Sequence, residues 1–233
     1  MITHLHRAGS RGTGPRRLLV MLPGAGIDAM DFADQGMVAA VQDRGLKVDV
    51  MTVQPTLDLY LDGSIAEALH RETGDRVAAE GYAGVWLLGV SLGAMGALLH
   101  ASHDAADLEG LVLLAPFLGT QGTIAAIGAK GGFATESAED AATSATESVV
   151  LAWLGDFLRR RPNSPALYLG YGEADRFAAG HRLLAASLPA DRVVTLAGAH
   201  DWGTWLALWQ SILDKAPFPV SAGAGRQEST VGR

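Results

Sequence analysis

Short, almost uninterrupted apolar runs alternate along this chain with longer segments of helical periodicity. The runs are rich in β-branched and large aliphatic residues, and turn residues follow several of them. Strands that are apolar at nearly every position are typical of a parallel sheet covered on both faces. We therefore expect an α/β fold with a mostly parallel sheet of about six to seven strands and helices on both faces. The predicted strands are 17–22, 46–53, 84–90, 108–116, 165–171 and 192–198.

Helical patterns lie between these strands, and one segment breaks the alternation. The 233 residues fit a single domain, which we expect over residues 1–216. Residues 119–148 are rich in Gly, Ala, Ser and Thr. We interpret the region 119–160 as a short insertion over the top of the sheet, either a mobile lid or a plain surface insertion. Residues 217–233 are predicted to form a disordered tail. The predicted helices are 29–44, 62–80 (with Asp62 as its cap), 92–103, 176–187 and 201–214.

Composition excludes several classes of function. The net charge of −7 argues against a nucleic-acid partner. The absence of cysteine excludes disulfides, thiolate catalysis and zinc–thiolate sites, and no apolar segment is long enough to span a bilayer. Arg16 and Arg17 before LLVML (18–22) resemble a twin-arginine export signal, but this apolar run is shorter than the roughly 7–15 residues of a signal core. We therefore expect a cytoplasmic protein.

The motif GVSLG (89–93) lies where a predicted strand ends and a predicted helix begins. A Gly-x-Ser-x-Gly sequence at such a junction is the signature of a nucleophile elbow, a turn so sharp that its serine is conformationally strained. Gly89 and Gly93 permit the close approach of strand and helix, and the helix N-terminus favours developing negative charge. We predict Ser91 as a catalytic nucleophile. The alternative is a Gly-Ser turn that merely starts a helix.

A serine needs a base and an orienting acid to become a strong nucleophile. Of the seven histidines, we select His200, which follows the last predicted strand in a Gly-containing loop at the carboxyl edge of the sheet. We predict it as the base, although a loop histidine that caps the last helix would occupy the same position. Asp175 follows the strand 165–171 at the same edge and is the predicted acid, with Glu173 as its alternative. The chain order Ser, Asp, His is typical of such a triad.

The loop LPGAG (22–26) follows the first predicted strand and is a candidate part of an oxyanion hole. The first expected N–H donor is Leu92, because it directly follows the nucleophile. Gly24 and Gly26 allow backbone N–H groups to face a ligand, and we expect both in substrate binding. We predict Ala25 as the second donor, with Gly26 as the alternative.

The same loop also fits a different class of function. GAGIDA (24–29) matches the G-x-G-x-x-A fingerprint of dinucleotide-binding folds, in which an acid about 20 residues on closes the next strand. Asp49 has roughly that spacing, but it lies inside the strand 46–53, and Gln54 stands at the strand end. An NAD(P)-dependent oxidoreductase is thus an alternative with weaker support. A catalytically silent binding protein of the same fold is another.

Together these motifs resemble the α/β-hydrolase superfamily over nearly the whole chain. The resemblance implies the α/β-hydrolase fold, with Ser91 as nucleophile, His200 as base and Asp175 as orienting acid, and it requires no metal or organic cofactor. The segment GAHDWGTW (198–205) is similar to small esterases, in which His-Asp-Trp opens the last helix. The segments that carry the resemblance are LLVMLPGAG (18–26), GVSLG (89–93), GYGEADRF (170–177) and GAHDW (198–202).

Two features depart from the family pattern. Pro23 precedes Gly24 where the family often has His-Gly, which leaves the second oxyanion donor open. Few residues precede the first clear strand, so we expect the usual N-terminal antiparallel hairpin to be shortened or absent.

The reaction that the resemblance implies is hydrolysis of a small carboxylic ester through an acyl-enzyme. An acyl-thioester would use the same residues, so the expected partner is a small-molecule acyl ester or thioester. Trp202, Trp205 and Trp209 recur at the spacing of one helix face, which packing explains. Trp202, close to the predicted base, is still a candidate substrate-binding residue.

Overall fold

The computed structural model describes residues 1–8, 15–106, 108–135, 138–160, 165–215 and 217–218. The strands in these ranges are β1 (Ile2–His6), β2 (Arg17–Leu22), β3 (Val48–Gln54), β4 (Val85–Val90), β5 (Leu108–Leu114), β6 (Ala166–Gly172) and β7 (Val193–Leu196). They form one sheet with the order β1-β3-β2-β4-β5-β6-β7. Every neighbouring pair is parallel except β1 and β3. The expected mostly parallel sheet is confirmed.

Helices cover both faces of this sheet. They are α1 (Asp31–Asp34), α2 (Met37–Gln42), α3 (Leu57–Leu61), α4 (Ile65–Glu80), α5 (Leu92–His103), α6 (Gln121–Ala129), α7 (Ala145–Arg160), α8 (Ala178–Ala185) and α9 (Trp202–Asp214). Helices α1, α2 and α9 pack on one face, and the cluster on the other face contains buried residues of α3 to α8. None of the described helices is long and apolar enough to cross a membrane.

The central strand β2 shows why its sequence is apolar throughout. Leu18, Val20 and Leu22 belong to the core beneath α4 and α5, whereas Leu19 and Met21 belong to the core beneath α2 and α9. All five side chains are fully buried. Because successive side chains of a strand point to opposite faces, a strand with both faces covered needs apolar residues at every position.

The N-terminal half differs from the expectation in three places. Strand β1 is antiparallel to β3, and the sequence did not predict it because half-buried histidines interrupt its apolar pattern. The predicted helix 29–44 is instead two short helices, α1 and α2, separated at Gly36, whose φ of 84° is not helical. The helix predicted over 62–80 starts at Ile65, and a separate helix, α3, precedes it.

Two α-helices, α6 and α7, lie among the described residues of the region 119–160, and the composition of this region did not predict them. Helix α6 packs on α8, where Ile124 lies against Gly180. Helix α7 buries Val150, Leu151 and Leu154 among other residues of the core that contains α5. The predicted tail, 217–233, lies outside the described residues from position 219 onward. Of the two described residues of this segment, Phe218 is buried against Trp86 with 5.0 Å between ring centroids.

Candidate active site

Ser91 stands at a sharp turn between β4 and α5. Its backbone has φ 54° and ψ −114°, and among the described non-glycine residues only Ala115 shares a positive φ. Such conformations are strained for residues with a Cβ atom and persist only where the surroundings impose them. Here the Ser91 N–H donates to the Leu114 carbonyl at 3.0 Å, and its own carbonyl accepts from the N–H of Phe117 at 3.0 Å. The turn is therefore clamped by the segment around the end of β5.

The two glycines of the motif have no room for a side chain. A Cβ atom on Gly89 would lie 2.4 Å from backbone atoms of Ala94, and one on Gly93 would lie 2.1 Å from the carbonyl oxygen of Leu22. Both contacts are with backbone, which cannot move aside as a flexible side chain can. The steric argument made from the sequence therefore holds at both positions.

The structure brings Ser91, His200 and Asp175 together in one hydrogen-bonded chain. The Oγ atom of Ser91 lies 3.0 Å from Nε2 of His200, and Nδ1 of His200 lies 2.7 Å from Oδ2 of Asp175. Because a carboxylate only accepts, the proton of the imidazole lies on Nδ1 and the hydroxyl donates to Nε2. This is the orientation in which an imidazole can take a proton from a serine. Glu173 is exposed and is not a hydrogen-bond partner of His200.

Two aromatic rings hold the imidazole from its sides. Phe177 and Trp205 both meet the ring of His200 edge-on, with centroid distances of 5.2 and 5.0 Å. The N–H of Phe177 also donates to Oδ1 of Asp175 at 2.8 Å. Phe177 was not predicted as part of the site from the sequence, although an aromatic residue two positions after the predicted acid is a local signal that could have identified it.

Asp175 is a buried carboxylate that remains ionised. Burial by itself raises the pKa of its carboxyl, but hydrogen bonds from His200 and from the N–H of Phe177 outweigh that effect, so the pKa lies below its ordinary value. A charged carboxylate at this position stabilises the protonated form of the neighbouring imidazole, which is the form that a general base produces.

The loop after β2 approaches the serine closely. A Cβ atom on Gly24 would lie 3.1 Å from the Cβ of Ser91, and the N–H of Ile27 donates to the Gly24 carbonyl at 3.2 Å, which closes a tight turn. Gly26 has φ 74° in this turn, a conformation that glycine adopts without cost. Gly24, Ala25, Gly26 and Leu92 line one cavity of about 220 Å³ together with residues of β3 and α3. Leu92 is the first residue of α5, so no helical carbonyl accepts from its N–H.

Gln54 holds this loop in place, a role that was not predicted from its position at the end of a strand. Its Oε1 accepts from the N–H of Ala29 at 2.6 Å, and its Nε2 donates to the carbonyl of Ile27 at 3.4 Å. A polar amide residue at the carboxyl end of a strand, directly before Pro55, is the signal that could have indicated this contact.

Asp49 lies far from the loop that the dinucleotide fingerprint would use. It is the second residue of β3, whereas Gly24 follows the carboxyl end of β2, and the two strands are parallel with Leu18 opposite Asp49. Asp49 is fully buried and binds Arg16, the hydroxyl of Tyr82 and the N–H of Ala8. Its position at the amino edge of the sheet prevents contact with a ligand on the loop at the opposite edge. The fingerprint interpretation is wrong for this reason.

The three tryptophans share one face of α9. Trp205 and Trp209 are buried, and Nε1 of Trp209 donates to the carbonyl of Met37 at 3.0 Å. Trp202 is half-buried and packs edge-on against Phe32 and Trp205. Trp202 does not line the cavity of Ala25 and Leu92, so its contacts are those of a packing residue.

No family model matches the chain, and no curated protein matches it either. Solved structures do match. The S-formylglutathione hydrolase of Staphylococcus aureus aligns at 14% identity with a TM-score of 0.61, over 89% of this chain and 84% of that one. The fluorophosphonate-binding serine hydrolase F of the same organism aligns at 14% identity and TM-score 0.64, over 93% and 92%.

A thermophilic esterase of Thermogutta terrifontis aligns at 15% identity with a TM-score of 0.55, over 91% of each chain. An α/β hydrolase from a lagoon-sediment metagenome aligns at 17% identity and TM-score 0.56, over 92% and 93%. At these identities the likeness concerns the fold alone. The chain has the α/β-hydrolase fold.

Proposed function

We propose that this protein is a serine hydrolase that cleaves carboxylic esters of small acyl groups through an acyl-enzyme. The observation that carries the proposal is the hydrogen-bonded chain from Ser91 through His200 to Asp175, with distances of 3.0 and 2.7 Å. The solved structures that share the fold include a protein described as an esterase and one described as an S-formylglutathione hydrolase, which supports the same class of reaction.

In the proposed reaction, Oγ of Ser91 attacks the ester carbonyl carbon while Nε2 of His200 takes the hydroxyl proton. The oxyanion of the tetrahedral intermediate accepts hydrogen bonds from the N–H groups of Leu92 and Ala25. His200 then gives its proton to the departing alkoxide, which leaves as the alcohol. Water attacks the acyl-enzyme with the same proton transfers, and the acid is released with Ser91 regenerated.

A thioester is the closest alternative substrate, because the attack on the carbonyl is the same and only the leaving group differs. The proposed chemistry requires no metal or organic cofactor. Asp49, the acid that an NAD(P)-dependent enzyme would need, lies at the wrong edge of the sheet, so we propose no dinucleotide function.

The test is covalent labelling combined with turnover. A fluorophosphonate probe should label Ser91, and the protein should hydrolyse p-nitrophenyl butyrate. Ser91→Ala should abolish the labelling and lower turnover by several orders of magnitude, on the order of 10⁶ in a strong triad. Ser102→Ala is the matched control, because the Ser102 hydroxyl donates within α5 to the carbonyl of Leu99 and lies away from the triad. Labelling at another serine, or none on folded protein, contradicts the proposal.

A further inference from the structure

A second cavity, of about 520 Å³, lies between α6 and α8 next to the proposed triad. Leu118, Ile124 and Leu183 supply much of its apolar lining, and the exposed residue Ala125 lies at its surface. Its volume is more than twice that of the cavity beside Ala25 and Leu92, which is about 220 Å³. The proposed site thus has a small cleft on the side of α3 and a larger apolar cavity on the side of α8.

The larger cavity shares a wall with the triad. Phe177 lines the cavity and also contacts the ring of His200, with a distance of 5.2 Å between the ring centroids. Pro116 also lines it and directly precedes Phe117, whose N–H donates to the carbonyl of Ser91. The rings of Phe117 and Phe177 meet edge-on at 5.5 Å. A chain attached to a carbonyl at Ser91 would pass along these two rings to reach the cavity.

Two arginines give this apolar cavity a positive charge. Arg176 and Arg182 both line it, and among its described lining residues none is acidic. The guanidinium of Arg176 lies over the Phe177 ring at 4.9 Å, and the same ring contacts the imidazole of His200. Arg176 and Arg182 are exposed, and no described carboxylate pairs with either of them. Among the other described arginines, only Arg71 also lacks a carboxylate partner. In a protein of net charge −7, two unpaired guanidinium groups at one cavity are suited to an anionic ligand.

We propose that this cavity binds an acyl chain whose far end is a carboxylate, so that the substrates are half-esters of dicarboxylic acids. The inference rests on the proposed function. The methylenes would lie against Leu118, Ile124 and Leu183, and the terminal carboxylate would pair with Arg176 and Arg182. Hydrolysis converts the half-ester and water into the dicarboxylate, the alcohol and one proton.

The experiment compares two methyl esters of equal chain length, monomethyl adipate and methyl hexanoate, by pH-stat. Wild-type protein should show the higher kcat/KM for monomethyl adipate at low ionic strength. The double variant Arg176→Gln/Arg182→Gln should lower the ratio of the two kcat/KM values about tenfold, since one partly solvated ion pair contributes less than about fivefold. Added salt should lower the ratio in wild-type protein in the same direction.

Arg71→Gln is the matched control, because Arg71 is an exposed arginine of α4 and does not line the cavity. In this variant the ratio of kcat/KM for monomethyl adipate to kcat/KM for methyl hexanoate should equal that of the wild-type protein. A readout without turnover uses Ser91→Ala, in which the NMR signals of monomethyl adipate should broaden on binding and those of methyl hexanoate should broaden less. When Arg176→Gln and Arg182→Gln are added to Ser91→Ala, the two esters should broaden to the same extent.

The outcomes separate the two proposals. If wild-type protein hydrolyses methyl hexanoate as well as or better than monomethyl adipate, or if the double variant keeps the wild-type ratio, the carboxylate site is refuted while ester hydrolysis stands. If neither ester is hydrolysed and a fluorophosphonate does not label Ser91, the proposed function is refuted and the substrate class with it.

Discussion

The Nε2 atom of His181 lies 2.9 Å from the carbonyl oxygen of Pro116, and His181 is fully buried. A carbonyl oxygen only accepts, so Nε2 carries the proton and donates it. Burial lowers the pKa of this imidazole and outweighs the opposite effect of the Pro116 carbonyl, so the ring is neutral at pH 7. The next N–H along the chain, that of Phe117, donates to the carbonyl of Ser91. His181 therefore fixes the position of the segment Pro116–Phe117, which is hydrogen-bonded to the proposed nucleophile.

Replacement of His181 by leucine should loosen that clamp. We expect kcat for p-nitrophenyl butyrate to fall about 10- to 100-fold, because small displacements of a reacting group are costly, while KM changes less. His181→Gln should restore much of kcat, since its amide N–H can donate to Pro116. Steady-state kinetics of both variants test this. Equal kcat values for the leucine and glutamine variants would show that the hydrogen bond does not position Ser91.

Gly93→Ala should destabilise the protein severely. The new methyl group would meet the carbonyl oxygen of Leu22 at 2.1 Å, so β2 and α5 would have to separate, and we expect the free energy of unfolding to fall by about 3 kcal/mol or more. Gly74→Ala is the control within α4, where an added Cβ meets nothing within 4 Å, and it should raise stability by about 0.5–1 kcal/mol. Denaturant titration measures both, and a stable Gly93→Ala protein would contradict the predicted packing.

Stability should decrease between pH 6.5 and pH 4 in large part because of His100; His181 and His6, whose pKa values burial also lowers, contribute in the same direction. Burial, reinforced by the nearby His70, lowers the pKa of this imidazole from 6.5 to about 4, and the carbonyl of Ala66 and the carboxylate of Asp104 oppose the change only in part. Below pH 6.5 the unfolded chain binds a proton at this position that the folded chain does not, so unfolding becomes easier as the pH falls, by about 3 kcal/mol at most.

His100→Gln should reduce the slope of that part of the stability curve, whereas the exposed His103→Gln, which removes only the smallest contribution to the lowered His100 pKa, should change the slope much less. Urea titrations at half-unit pH steps provide the measurement. Asp49 and Asp175 have pKa values below the ordinary 3.8, so their contributions are lost only as the pH falls below about that value. A slope in the glutamine variant equal to that of wild type would show that His100 does not cause it.

Glu147 should hold α6 in place. This buried residue accepts hydrogen bonds at Oε2 from the hydroxyl of Thr123 and from both the N–H and the hydroxyl of Thr143. Glu147→Ala should lower the free energy of unfolding by about 2–3 kcal/mol, since hydrogen bonds to a charged group are strong and the partners would lose theirs. Hydrogen exchange should accelerate in α6. Glu139→Ala, in a short 3₁₀ helix without buried residues, should change neither quantity. Unchanged exchange in α6 of Glu147→Ala would contradict this role.

Local patterns predicted two of the elements with the bounds at which they occur. Helix α5 spans the predicted residues 92–103, and β2 spans the predicted 17–22, because each is set by its apolar pattern and by turn residues beside it, Pro23 and Gly24 after β2 and Gly93 at the start of α5. The split at Gly36 and the antiparallel strand β1 were not predicted. Their stability comes from pairing with β3 and packing on α9, which are contacts made with distant parts of the chain.

The sequence by itself determined the strained turn at Ser91, because Gly89, Gly93 and the steric limits of one strand–helix junction are sufficient to define it. It did not determine that Ser91 and His200, 109 residues apart, would lie within hydrogen-bond distance. The order of the strands decided that, since it places the carboxyl ends of β4, β6 and β7 along one edge of the sheet. Asp49 lies at the opposite edge because it is the second residue of β3, which is parallel to β2. The position of a residue within a predicted strand indicates the edge that it reaches, but which strands become neighbours depends on contacts between distant segments, and only the tertiary structure decides that.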